Sequence, residues 1–81
     1  MTIYVKLYAT LRQYVPHAAD LTSKEGLEVS ERATVAQVME MLRLPESLKV
    51  LALVNGLHCK EKERVLEEGD SLLFYPLMSG G

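Results

Sequence analysis

One cysteine, no tryptophan and a single phenylalanine among 81 residues leave this chain few of the usual staples and anchors. Cys59 alone cannot form an internal disulfide, which argues against a secreted disulfide scaffold and fits a reducing compartment. Long apolar runs are also missing: no window approaches the ~18 residues that a membrane-spanning helix needs. The opening Met1–Lys6 stretch has no basic leader, and Lys6 interrupts its apolar run, so a cytoplasmic protein without membrane attachment is expected. Charge of one sign is lacking too. Nine Lys and Arg are interspersed with eleven Asp and Glu, a net charge of −2, which leaves no electrostatic footprint for nucleic acid. A chain of this length fits one domain and buries only about 60–65% of its unfolded surface. Its core must come from the 48% of residues that are hydrophobic.

Those residues are patterned. Ile3, Val5 and Leu7 alternate with Tyr4, Lys6 and Tyr8, the period of two of a half-buried strand over residues 2–9. Thr10-Leu11-Arg12-Gln13 has the Thr-x-x-Gln spacing of a capping box, and Pro16 limits that helix to a turn or two. Residues 17–26 read as a loop, and Leu27-Glu28-Val29 as a short strand. Thr34-Val35-Ala36-Gln37 is a second capping box, followed by an apolar stripe at Val35, Val38, Met39 and Leu42, with Pro45 closing the helix near Arg43 or Leu44.

Val50–Val54 is a continuous apolar run of strand length. Asn55-Gly56 then predicts a tight hairpin returning through Leu57-His58-Cys59. Residues 60–68 are charged, with Val65 and Leu66 as apolar anchors, and i, i+3 or i+4 ion pairs if the run is helical. Gly69-Asp70 reads as a turn, Leu72–Tyr75 as the last strand, and Pro76 as its stop. The expectation is an α+β domain over 1–76, a mixed four- to five-stranded sheet with one main helix on one face, and a flexible tail over 77–81.

The tail carries the functional signal. Leu77-Met78-Ser79-Gly80-Gly81 can reach about 16 Å when extended. Two terminal glycines arise by chance in only about 0.5% of chains, given glycine's average usage. They add nothing to a core, yet they can enter a channel that any Cβ would block and present a carboxylate to an enzyme.

In order along the chain stand Ala9-Thr10-Leu11-Arg12, Ala33-Thr34-Val35, Val54-Asn55-Gly56, Leu66-Glu67-Glu68-Gly69-Asp70 and Pro76-Leu77-Met78-Ser79-Gly80-Gly81. This series resembles the ubiquitin-like sulfur carriers of the β-grasp fold, and most of all the small subunits of molybdopterin synthases. Leu77 and Met78 stand where that group usually has a second proline and a small β-branched residue.

The resemblance implies a non-catalytic carrier acting in molybdenum or tungsten cofactor synthesis. An E1-like adenylyltransferase, which brings the ATP and Mg²⁺, would activate the Gly81 carboxylate, with no cofactor held by the carrier itself. Conversion to a thiocarboxylate would follow, with Gly80 keeping the arm thin. Pro76, Leu77, Met78 and Ser79 would bind the partner, a molybdopterin synthase large subunit, in a heterotetramer. A carrier for thiamine or another sulfur-metabolite pathway, a protein modifier joined through Gly81 to lysines, and a plain β-grasp interaction module with an incidental tail are the alternatives.

The remaining candidates carry weaker chemistry. Neighbouring strand residues point to opposite faces, so His58 and Cys59 are not expected to cooperate at one site. No ligand spacing for a metal occurs. One helix covers one sheet face, which leaves Tyr8, Phe74 and Tyr75 as candidates for an exposed partner surface. Lys6, Lys24, Lys49, Lys60 and Lys62 are possible isopeptide acceptors.

Overall fold

The computed structural model describes residues 1–8, 11–14, 21–22, 24–43 and 49–77. Its elements are β1 (Thr2–Leu7), a 3-10 turn (Leu11–Tyr14), β2 (Leu27–Glu28), α1 (Val35–Leu42), β3 (Val50–Val54), β4 (Leu57–Cys59) and β5 (Ser71–Pro76). They form a five-stranded sheet in the order β2-β1-β5-β3-β4. Only β1 and β5 run parallel, so β5 occupies the centre with a parallel neighbour on one side and an antiparallel one on the other.

The expected patterns become one core. Ile3, Val5 and Leu7 point inward from β1, Val50, Ala52 and Val54 from β3, and Leu72 and Phe74 from β5. Against them pack Val35, Val38 and Leu42, the buried stripe of α1. The helix begins as its sequence demands: Gln37 N–H donates to Thr34 Oγ1 at 3.2 Å, and Thr34 N–H donates to Gln37 Oε1 at 2.9 Å. It ends at Leu42, with Arg43 in the left-handed region at φ 54 and its N–H on the Glu40 carbonyl. Leu44 and Pro45 lie outside the described residues, as does Thr10 of the first capping box.

The charged segment after β4 is not helical. It straps the start of α1: Val35 N–H donates to the Arg64 carbonyl and Ala36 N–H to the Lys62 carbonyl, while Leu66 N–H donates to the Ala33 carbonyl. Backbone thus satisfies donors that a helix start leaves open. Of the two expected anchors only Leu66 is buried; Val65 bridges Thr34 and stays 52% exposed. Thr34→Ala removes the hydroxyl acceptor of Gln37 N–H but leaves the strap. Its expected cost is therefore about 1 kcal/mol, read as a shift in urea midpoint.

Among the positions with left-handed backbone, two sites shape the sheet. Asn55 (φ 51) and Gly56 (φ 84) make the β3–β4 hairpin in the anticipated form. Gly26, leading into β2, has φ 95, and a Cβ there would stand 2.5 Å from Thr2 Cγ2 and 3.1 Å from the Ile3 carbonyl oxygen. Gly26→Ala is expected to cost about 2–3 kcal/mol, combining left-handed strain with displacement of β1. A melting curve matching the parent's would show that the β1 edge gives way freely.

Asp70, expected only as a turn residue, is buried and pins the start of β5. It accepts from the Asn55 side-chain amide at 2.9 Å and from Glu67 N–H at 2.8 Å, while Ser71 N–H donates to the Asn55 side-chain carbonyl. This joins the hairpin to the turn preceding the central strand.

Candidate functional site: the root of the tail and the outer sheet face

Strand β5 runs one residue further than its apolar pattern suggests. Pro76 is part of the strand, paired with Val50 and buried, although it was expected to stop the strand and to belong to the partner-binding tail. A proline fits here because the register continues without its N–H: Leu77 N–H, one residue on, donates to the Lys49 carbonyl at 2.9 Å. Leu77 is 48% exposed and marks the root of the arm. Met78, Ser79, Gly80 and Gly81 lie outside the described residues. Four residues beyond the root reach about 13 Å when extended, less than the five-residue tail first expected.

The root sits at one end of the sheet face opposite α1. Register fixes the members of that face. Leu51 pairs with Tyr75 and Leu53 with Leu73, each offset by one from the inward Val50, Ala52 and Val54. All four remain half-buried. Tyr4 and Tyr8 flank them from β1, 40% and 58% exposed. Lys6 stands opposite Leu73, and His58 opposite Leu53.

Phe74 is not on this face. It points inward, fully buried beneath α1, which corrects its expected place in a partner surface. Alternation along β5 sends Tyr75 outward and Phe74 inward, and sequence alone does not set that phase because both neighbours are apolar. Leu51, Leu53 and Leu73 were missed as surface residues for the same reason: they sit in runs apolar at every position. The signal that finds them is the pairing of β3 with β5.

His58 and Cys59 part company as the pleat requires. The Cys59 Sγ donates to the Glu61 carbonyl at 3.1 Å, while His58 is exposed on the other face. Two shallow depressions among the described residues, of about 680 and 700 Å³, lie elsewhere: one beside Met1 and Glu68, the other beside Val29 and Met41. Neither adjoins the root of the tail.

Comparison with known proteins agrees with this architecture. A search of curated proteins returns no match. Among solved structures, the crystal structure of SAMP1 from Haloferax volcanii superposes with a TM-score of 0.70 at 21% identity, covering 100% of both chains. A second crystal structure, of the H. volcanii small archaeal modifier protein 1, gives a TM-score of 0.61 at 21% identity over 91% of this chain and 94% of that one. These likenesses establish the β-grasp fold. A family model described as the ThiS family matches residues 5–81, nearly the whole sequence and including its last residue. With one helix across a mixed five-stranded sheet and that match, this chain belongs to the ThiS family of ubiquitin-like proteins.

Proposed function

We propose that the chain carries sulfur on Gly81 as the small subunit of a molybdopterin synthase, acting in the cytoplasm. The observation that supports this most is the ThiS-family match running through Gly81 of a chain whose last described backbone bond is at Leu77. Four residues then remain as an arm, two of them without side chains.

A carboxylate is a poor electrophile, because its charge repels nucleophiles. Attack of the Gly81 carboxylate on the α-phosphate of ATP, in an E1-like adenylyltransferase supplying Mg²⁺, would release pyrophosphate and leave an acyl-adenylate. A hydrosulfide-equivalent donor then adds to the carbonyl carbon. AMP departs with one of the original carboxylate oxygens, leaving a thiocarboxylate. That sulfur is the softer nucleophile, which suits it to attack an activated carbon of a pterin precursor held by the large subunit. The carrier contributes a recognition surface and a thin arm, while acid–base groups belong to its partners. Because Leu77 stands at the end of the outer face, a partner that takes the arm meets Leu51 and Tyr75 beside it. A half-buried apolar surface of this kind suits docking.

Incubation with the adenylating enzyme, Mg-ATP and a sulfur donor is expected to raise the mass of the chain by one oxygen-for-sulfur exchange, placed at Gly81 by fragmentation. A chain that acquires AMP but never sulfur would sink the reading. The names of the similar solved structures favour a second reading, that of a protein modifier. On that reading Gly81 appears in isopeptide linkage to target lysines, and ladders replace the thiocarboxylate.

A further inference from the structure

Acidic residues outnumber basic ones in this chain, yet β1, β3, β4 and β5 contain no Asp or Glu at all. The carboxylates lie on β2, α1 and the connecting segments. At the end of the outer face where Leu77 leaves the sheet, the described ionisable side chains are Lys6, Lys49 and His58, while Glu28 stands at the far edge of that face, opposite Thr2. Lys6 stands opposite Leu73, His58 opposite Leu53, and Lys49, whose carbonyl accepts from Leu77 N–H, precedes the inward Val50 and so belongs to the outward set. All three are exposed. Among the described residues the face is therefore basic at the end near Leu77, on a chain that is acidic as a whole.

We infer that this face docks a protein whose own surface is an apolar patch bordered by carboxylates, with Lys6 and Lys49 selecting it. Two lysines on either side of the Leu51–Tyr75 pair steer such a partner and fix its orientation, and they repel a partner with a basic rim. Lys49 pairs with Leu77 through its carbonyl, so a partner oriented by it lies beside the residue from which the tail continues. The apolar centre supplies the contact area. The lysines supply the choice. The inference draws on the carrier reading only for its choice of probe.

Titration of the full chain against the adenylating enzyme of the same genome, at low and at high sodium chloride, tests this. Lys6→Glu/Lys49→Glu is expected to weaken the complex about tenfold or more at low salt. The gap from the parent should narrow as salt screens the charges. Lys6→Ala/Lys49→Ala gives a smaller loss in the same direction and serves if the reversed chain does not fold. Glu40→Lys, an exposed change on α1, is expected to leave affinity unchanged.

Binding of both lysine variants within about twofold of the parent overturns the inference. So does an equal loss in Glu40→Lys, or the absence of a measurable complex. Lysine-dependent partition onto phosphatidylserine vesicles would overturn it in favour of a membrane surface. Mass measurement of Gly81 in the same samples keeps the two readings apart. Lysine-dependent docking without sulfur loading removes the carrier function and leaves the surface assignment standing; loading that ignores both lysines does the reverse.

Discussion

Deletion of Gly81 is expected to abolish sulfur loading while leaving the unfolding midpoint where it was. Gly81 stands four positions beyond Leu77, whose N–H makes the last described bond to the sheet, and a glycine has no side chain to pack. The reacting carbon, by contrast, is displaced by about 3.3–3.6 Å, one residue of extended chain. Reacting atoms must approach to about 3–3.5 Å, and a misplacement of about 1 Å already costs about 10²-fold. A shift of a whole residue therefore takes the carboxylate out of reach of the adenylating centre. Intact-mass measurement after incubation with enzyme, Mg-ATP and sulfur donor gives the answer. Continued loading of the shortened chain would place the reactive group elsewhere.

The second large effect separates two adjacent aromatic residues. Phe74→Ala is expected to cost about 3–5 kcal/mol, because it empties a fully buried ring position between the sheet and α1. An 81-residue domain has roughly 4–12 kcal/mol in total, so this variant should be largely unfolded or close to it. Tyr75→Ala, one residue on and on the opposite face, is expected to lose about 1 kcal/mol or less of stability. If the outer face docks a partner as proposed, its effect should appear in partner affinity, since Tyr75 is paired with Leu51 on that face. Urea unfolding of the two variants decides it. Similar midpoints, or a reversed order, would mean that β5 presents the other face to the helix.

That pair also shows what sequence can and cannot reveal here. Thr34 with Gln37 announces a helix start, and Asn55-Gly56 announces a hairpin, because both signals are local: hydrogen bonds or backbone angles within four residues. The inward set of β1 is equally plain, since apolar and polar residues alternate. In β3 and β5 both faces are apolar, so their phase is set only by which side α1 covers, and Phe74 cannot be told from Tyr75 beforehand. The segment 60–64 is solvated, as its charges suggest, but sequence does not reveal that the Lys62 and Arg64 carbonyls accept from amides at the start of α1. Asp70 is hidden because its partners, Asn55 and Glu67, come together only when the hairpin and the last turn meet. The outer face was legible in part, through Tyr8 and Tyr75, but not through Leu51, Leu53 and Leu73, whose phase depends on the pairing of β3 with β5.

The central position of β5 also has a mechanical side. Any force that draws the arm out of a partner's pocket is delivered through Leu77 into a strand held along both edges, by β1 in parallel and β3 in antiparallel register. A pull along the strand axis loads these two ladders in shear, many bonds sharing the strain at once, where an edge strand would unzip one bond at a time. Rupture under load follows the unfolding rate rather than the equilibrium stability. On the proposed carrier role, a domain built this way withstands withdrawal of its tail from a partner without yielding first.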